Sequence, residues 1–122
     1  MDTKNYFRKR GAAFTYAFSG IWKLWRYEPH GLLHLLASVL VIVAGVFYRV
    51  SAIEWCLIAI CIGGVMGLEC VNTAIEKLAD RITEEKDPLI GYAKDLGAAA
   101  VLLMALASVA VAAFIFIPKI FF

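Results

Sequence analysis

Four oxygen-bearing side chains recur at helical spacing within one largely apolar stretch of the sequence. Glu69, Asn72, Glu76 and Asp80 follow one another at intervals of three, four and four residues. On an α-helix these positions fall within about 80° of one another and therefore share one face. We call these four residues the polar stripe. Carboxylate oxygens bind hard cations such as Mg²⁺, and a carboxylate in apolar surroundings is also a candidate general base.

The innermost member of the polar stripe stands among apolar residues. Glu69 is the one charged residue between Trp55 and Ile75. An ionisable group at membrane depth costs about 2.5–3.5 kcal/mol on insertion scales, so such groups usually serve a function. The alternative is a set of hydrogen bonds between helices with a solvated helix end, and it stays open, above all for Asp80. The sequence has no phosphate-binding GxxxxGK[ST] loop and no kinase catalytic loop.

The helices that position the polar stripe are predicted from long stretches of sequence without charged residues. The chain has 122 residues, of which 62% are hydrophobic and 18% are charged. An average soluble domain is about 45–50% apolar and about 25% charged, and a disordered chain is still more polar. Charge-poor runs of about 20 residues predict membrane-spanning helices. We therefore predict a single all-α integral membrane domain over residues 1–122, with transmembrane helices at 30–48, 53–75 and 96–118.

Residues 1–28 have the pattern of an amphipathic helix. Phe14, Phe18, Ile21 and Trp25 fall within about 40° of Phe7 on a helical wheel. The cations that point to the side or away are Arg8, Lys9, Lys23 and Arg26. This pattern is typical of a helix lying in the membrane interface. A basic flank of the first span is the alternative.

Two interruptions separate these elements. The Glu28-Pro29 pair predicts the end of the first helix, because a residue before proline is disfavoured in the α-helical conformation. Lys86-Asp87-Pro88 predicts a turn between the second and third spans.

The distribution of cations predicts the orientation. Ten of the 12 Lys and Arg residues precede the first span or lie between the second and third, and only Arg49 and Lys119 lie on the other side. Positive residues concentrate on the cytoplasmic side, which predicts a cytoplasmic N-terminus and a cytoplasmic second loop. No cleavable signal peptide is expected, because the first apolar run begins about 30 residues into the chain.

Cysteine, histidine and glycine residues have plainer interpretations. The three cysteines lie on the second span and form no CxxC motif, so we expect small buried apolar residues and no redox or metal role. His30 and His34 are four residues apart. We expect them at the interface near lipid headgroups, with a shared metal as the alternative. Gly63 and Gly67 form a GxxxG motif, which permits close helix packing.

Two segments together resemble a known family. The run Glu69-Cys-Val-Asn-Thr-Ala-Ile-Glu-Lys-Leu-Ala-Asp80 and the run Ala93-Lys-Asp-Leu-Gly-Ala-Ala-Ala-Val101 resemble the prokaryotic diacylglycerol kinase family, which includes the undecaprenol kinases. The family pattern is close to E-x-x-N-[ST]-A-I-E-x-x-x-D followed by [AS]-K-D-x-x-[AS]-[AG]-A-V. The resemblance covers nearly the whole chain, and Ile53-Glu54-Trp55 and Ile117-Pro118-Lys119 are closer to the undecaprenol kinase branch.

The resemblance implies roles for individual residues. By this resemblance, Glu69 occupies the position of the family's catalytic base, and Glu28 and Glu76 occupy the positions of its metal ligands. The implied polar contacts of the nucleotide are Asn72, Lys94 and Asp95, with Asp80 supporting the site. Looser matches to nucleotide-contacting positions are Lys9, Tyr16, Glu85, Lys86 and Asp87. Ala13 and Ala98 match positions where the family approaches lipid or nucleotide.

The resemblance also implies partners. We expect a homotrimeric helical bundle in the bacterial inner membrane, with active sites shared between subunits, that uses Mg²⁺ and ATP to phosphorylate a membrane lipid alcohol. Undecaprenol and diacylglycerol both remain possible alcohols, and no nucleic-acid partner is expected. The alternative is a non-enzymatic oligomer that conducts cations or regulates another protein. Lys94 and Asp95, together with Glu28, argue against a cation path, because ATP calls for a lysine facing the carboxylates and a cation path does not.

Overall fold

Four α-helices make up the fold. A computed structural model describes residues 2–122 and contains α1 (Thr3–Tyr27), α2 (Pro29–Phe47), α3 (Ala52–Ile82) and α4 (Pro88–Phe121). The described residues include no β-strand. Helices α2, α3 and α4 are each long and apolar enough to cross a membrane. The predicted all-α class is therefore confirmed, and three helices suited to span a membrane are present, as predicted.

A sharp corner joins α1 to α2, as the Glu28-Pro29 pair predicts. Glu28 has an extended backbone and caps both helices, and Pro29 opens α2. The two helices meet closely because Gly31 has no side chain, since a Cβ atom there would collide with the carbonyl oxygen of Leu24. Leu24 is itself buried. The corner therefore holds the C-terminal end of α1 against the beginning of α2.

Short, well-capped turns connect the remaining helices. Ser51 and Glu54 form a reciprocal capping box at the start of α3. Asp87 accepts hydrogen bonds from the backbone N–H groups of Leu89 and Ile90 at the start of α4, where Pro88 occupies the first helical position. The predicted turn at residues 86–88 is thus the end of the α3–α4 loop, and α4 begins within it.

Helices α3 and α4 are longer than the spans predicted from hydrophobicity. With 31 and 34 residues they measure about 46 and 51 Å, whereas the hydrocarbon core is about 30 Å thick. Both helices extend beyond their apolar segments at the end of the bundle where Glu28, Ile82 and Pro88 lie, which we call the polar end. Lack of charge marks only the part of a helix that lipid surrounds, so hydrophobicity alone could not show this extension.

The chain buries little of its own apolar surface. Helix α3 is central, packing most extensively on α4 and also contacting α2 and α1. A small cluster of Val50, Ile58 and Ile115 forms the core at the end opposite the polar end, where Lys119 also pairs with Glu54 at 2.8 Å. Most other large apolar side chains face outwards, including Phe7, Phe14, Phe18 and Trp22 of α1. Such surfaces are suited to lipid or to neighbouring subunits.

Candidate active site

The polar stripe runs from a buried to an exposed environment along α3. Glu69 and Asn72 retain only 5% and 9% of their accessible surface, and they are the two buried polar residues in the described chain. Glu76, one turn further, is half-buried, and Asp80 is exposed at the polar end. The helix thus carries its oxygen atoms from an apolar interior to the surface over about three turns.

Glu69 faces a histidine that was not among the predicted site residues. Oε2 of Glu69 lies 3.6 Å from Nε2 of His34 on α2. This distance exceeds that of a hydrogen bond but lies within reach of an ion pair. The sequence gives no direct signal for this contact, because it joins two helices at positions 35 residues apart.

The predicted alternative of a metal shared by His30 and His34 gains no support. His30 is exposed, whereas His34 is half-buried against α3. Within residues 2–122, no three His, Cys, Asp or Glu side chains come together in an arrangement that could hold a metal ion.

Asn72 lies where α3 packs against Gly97 of α4. Its Oδ1 atom is buried and has no hydrogen-bond partner among the described residues. A Cβ atom on Gly97 of α4 would lie 2.5 Å from that oxygen. A buried acceptor without a partner is costly, so this oxygen is an unusual feature of the contact between α3 and α4.

A lysine from α4 stands among the outer carboxylates. Nζ of Lys94 donates a hydrogen bond of 2.8 Å to Oδ1 of Asp80, and the negative charge of Glu76 also acts on this ammonium group. The structure therefore brings together three of the predicted site residues at the polar end. Asp95, the next residue on α4, is exposed.

Glu28 lies on another side of α3. Its carboxylate pairs with Lys77 at 3.0 Å, beside a cavity of about 490 Å³ between α1 and α3. Lys77 follows Glu76 directly in sequence, so the two predicted metal ligands lie at the same level of the bundle but point differently around the helix. Two carboxylates remain a suitable donor set for Mg²⁺, which commonly takes one or two carboxylates and completes its shell with phosphates and water.

The outer predicted contacts occupy two exposed regions. Glu85, Lys86 and Asp87 line a cavity of about 390 Å³ in the α3–α4 loop, together with Asp80 and Lys94. Three predicted site residues lie on α1 and are all exposed: Lys9, Ala13 and Tyr16. Ala98 is exposed on α4.

The α1 residues are remote from the point where their own helix packs. Lys9 precedes the buried Leu24 by 15 residues, which is about 22 Å along the helix. Lys9 therefore lies far along α1 from the end of the helix that packs on the rest of the chain.

Comparison with known proteins identifies the family. The prokaryotic diacylglycerol kinase family matches residues 15–116. The chain is 38% identical over 119 residues to the undecaprenol kinase of Bacillus subtilis (strain 168), covering 98% of this chain and 97% of the relative. It is 35% identical over 94 residues to the diacylglycerol kinase of Escherichia coli (strain K12), covering 77% of each. The diacylglycerol kinase of Synechocystis is 32% identical over 109 residues, covering 88% of this chain and 62% of that protein.

These similarities extend through the polar stripe, the α3–α4 loop and the start of α4. They favour a phosphotransferase over the alternative of a non-enzymatic cation-conducting or regulatory oligomer. A kinase requires a phosphoryl donor, which this family implies to be ATP. The chain belongs to the prokaryotic diacylglycerol kinase family and is a multi-pass membrane lipid kinase.

Proposed function

We propose that this kinase transfers the γ-phosphoryl group of ATP to the hydroxyl of undecaprenol and so produces undecaprenyl phosphate. The choice of alcohol is supported by the relative from Bacillus subtilis, whose similarity spans 98% of this chain. Diacylglycerol is the second candidate, because the relative from Escherichia coli carries that name and matches 77% of the chain.

The observation that carries the proposal is the depth of Glu69. Its side chain is 7% exposed, and it lies seven residues, or about 10.5 Å, deeper along α3 than Glu76. A lipid hydroxyl resides near the membrane interface, whereas a phosphate group resides in water. A buried carboxylate two turns below a charged surface can reach a lipid hydroxyl, while the outer residues on the same helix face bind the phosphates.

In the proposed reaction Glu69 is the general base. Its carboxylate accepts the hydroxyl proton as the lipid oxygen forms a bond to the γ-phosphorus, and the bond from that phosphorus to the β-bridging oxygen breaks. ADP then leaves. Lys94 offsets negative charge on the transferred group, and Asp80 holds that ammonium in place through the 2.8 Å contact. Phosphoryl transfer depends mainly on positioning and charge stabilisation of this kind.

Glu28 and Glu76 would hold Mg²⁺ at the polar end. Bound there, Mg²⁺ would supply positive charge to neutralise the phosphates. Asn72, Lys94 and Asp95 are proposed to contact the nucleotide, as the family resemblance implies. The outer contacts of the nucleotide are proposed to be Lys9, Tyr16, Glu85, Lys86 and Asp87, and Ala13 and Ala98 would adjoin lipid or nucleotide.

We further propose a homotrimer in the bacterial inner membrane, with each site built from neighbouring subunits and the polar end in the cytoplasm, where ATP is available. Two observations support this arrangement. The large apolar side chains of α2, α3 and α4 are mostly exposed in the single chain, and the predicted contacts of α1 begin about 22 Å along the helix from its packed end.

The direct test compares lipid alcohols. Purified protein in detergent micelles receives Mg²⁺ and ATP with undecaprenol, with diacylglycerol or with no lipid, and ADP and phosphorylated lipid are quantified. We expect fast turnover with undecaprenol, slower turnover with diacylglycerol and little without lipid. The Glu69→Gln protein serves as the control for contaminating kinases. Equal or greater turnover with diacylglycerol would refute the choice of undecaprenol.

A further inference from the structure

The carboxylate of Glu69 needs a hydrogen-bond donor that the other residues of the polar stripe do not provide. It is a charged side chain with 7% exposure, on a helix face whose next polar member, Asn72, leaves its own Oδ1 without a partner. A carboxylate in low dielectric is stabilised by a hydrogen-bond donor, and without one it is costly to bury. The imidazole of His34, 3.6 Å away on α2, is a side chain that can donate to it.

The position of His34 is fixed by features that have no catalytic role. Its helix begins at the corner where Gly31 packs on Leu24, one turn before the histidine. The hydroxyl of Ser38 donates a 2.7 Å hydrogen bond to the backbone carbonyl of His34. The imidazole is 21% exposed and lies at the margin of an apolar groove between α2, α3 and α4, which includes Ala37, Val41 and Val65. The imidazole of His34 therefore lies between the carboxylate of Glu69 and this apolar groove.

We propose that His34 is a positioning residue for Glu69, an inference that rests on the proposed function. Imidazole can donate from Nε2 in both its neutral and its protonated form. Donation to Oε2 of Glu69 would hold the carboxylate in one orientation and leave Oε1 to accept the proton of the lipid hydroxyl. A base oriented by a neighbouring group is a recurring arrangement in enzymes. The 3.6 Å separation fits this role, because catalytic contacts are often long before the substrate binds and shorten in the complex.

Substitutions at His34 distinguish a role as a hydrogen-bond donor from a role in filling space. We expect His34→Leu, which keeps the volume but cannot donate, to lower kcat about 10- to 100-fold while the KM for ATP changes less than about twofold. His34→Gln keeps an amide donor and should recover part of the lost kcat. The matched control is His30→Leu, because His30 is exposed on the same helix, and it should remain near wild type. A His34→Leu protein with wild-type kcat, or one that equals His34→Gln, would overturn the proposal.

A spectroscopic measurement tests the contact without relying on turnover. In protein labelled with ¹⁵N at histidine, Glu69→Gln should shift the ring nitrogen signals of His34 and leave those of His30 unchanged. Unchanged His34 signals would overturn the positioning role, even if the enzyme is fully active. Absence of lipid-dependent turnover in the wild-type protein would instead refute the proposed function, so the two failures are distinguishable.

Discussion

A Cβ atom on Gly97 would lie 2.5 Å from Oδ1 of Asn72, so the backbone of α4 passes directly over the amide on α3. At this point α4 contributes no side chain between the two helices, and Gly97 is itself buried. The polar stripe therefore depends on a residue that contributes no functional group. A methyl group here would have to displace either α4 or the amide.

We predict that Gly97→Ala reduces lipid-dependent turnover at least tenfold with little loss of folding, because the added methyl group moves Asn72 while alanine favours the helix by about 1 kcal/mol over glycine. Gly64→Ala is the matched control on the same helix pair. Its Cβ would meet the flexible end of Met104 at 2.6 Å, so this side chain can adjust. Initial rates and thermal unfolding in micelles measure both effects. Wild-type rates in Gly97→Ala would contradict the prediction.

We predict different defects at the two depths of the polar stripe. Glu76→Gln should weaken binding of Mg²⁺ with a non-hydrolysable ATP analogue, because Glu76 lies near the polar end where phosphates arrive. Glu69→Gln should abolish turnover and leave analogue binding within about threefold of wild type, because its carboxylate is needed only for proton removal. If Glu69→Gln loses analogue binding as severely as Glu76→Gln, the assigned roles are wrong.

The ion pair between Glu28 and Lys77 predicts an opposite response to two substitutions. Glu28→Gln should raise the Mg²⁺ concentration that gives half-maximal activity, since a ligand is lost. Lys77→Gln removes the cation 3.0 Å from that carboxylate and should leave this concentration unchanged or lower it. Lys77 is 69% exposed, so its removal should have little effect on folding. A parallel rise in both variants would indicate that the ion pair is structural and that Glu28 does not bind the metal.

The composite site can be tested by mixing inactive chains. Glu28 lies beside α3 of its own chain, whereas Lys9 lies far along α1, so Lys9 is the better candidate for service across subunits. Co-expression of Lys9→Ala and Glu69→Gln chains, after each proves inactive alone, should recover up to about a quarter of wild-type activity in mixed trimers. Asn72→Ser mixed with Glu69→Gln should recover none, because both residues lie on one helix. No recovery with Lys9→Ala, together with full activity in a verified monomer, would refute the composite site.

The ten-to-two distribution of Lys and Arg predicts the orientation in the membrane. Reporter fusions after Lys86 should report a cytoplasmic location, and fusions at Arg49 or after Lys119 should report the opposite side. A fusion at residue 2 tests the N-terminus directly and should agree with Lys86. An external location for Lys86 would exclude the proposed orientation and access of cytoplasmic ATP to the polar end.

The parts that sequence could predict are those determined within one helix. Spacing alone aligned Glu69, Asn72 and Glu76, because helical periodicity decides which side chains share a face. The contacts of His34 with Glu69 and of Lys77 with Glu28 join different helices, and their formation depends on the corner at residues 28–31. The spacing of residues within a single helix therefore could not predict these contacts.

Helix boundaries show the same limit. Hydrophobicity predicted the membrane-embedded portion of α4 from residue 96, while the helix begins at Pro88. Asp87 and Pro88 form a cap and a first helical position that could have indicated the earlier start. The family resemblance added the roles of individual residues, which spacing and composition did not distinguish.

The corner between α1 and α2 has a consequence for the membrane in which this enzyme works. The first span, α2, has 19 residues, which is about 28 Å, and the close packing of Gly31 on Leu24 sets where α1 leaves it. The packing of α3 on α2, including the contact of Glu69 with His34, therefore fixes the level of Glu69 relative to the ends of this span. A thicker bilayer would create hydrophobic mismatch, and hydrocarbon would then cover the level at which a lipid hydroxyl is proposed to meet Glu69. We therefore expect turnover to depend on the acyl-chain length of the surrounding lipid, with an optimum set by the length of α2.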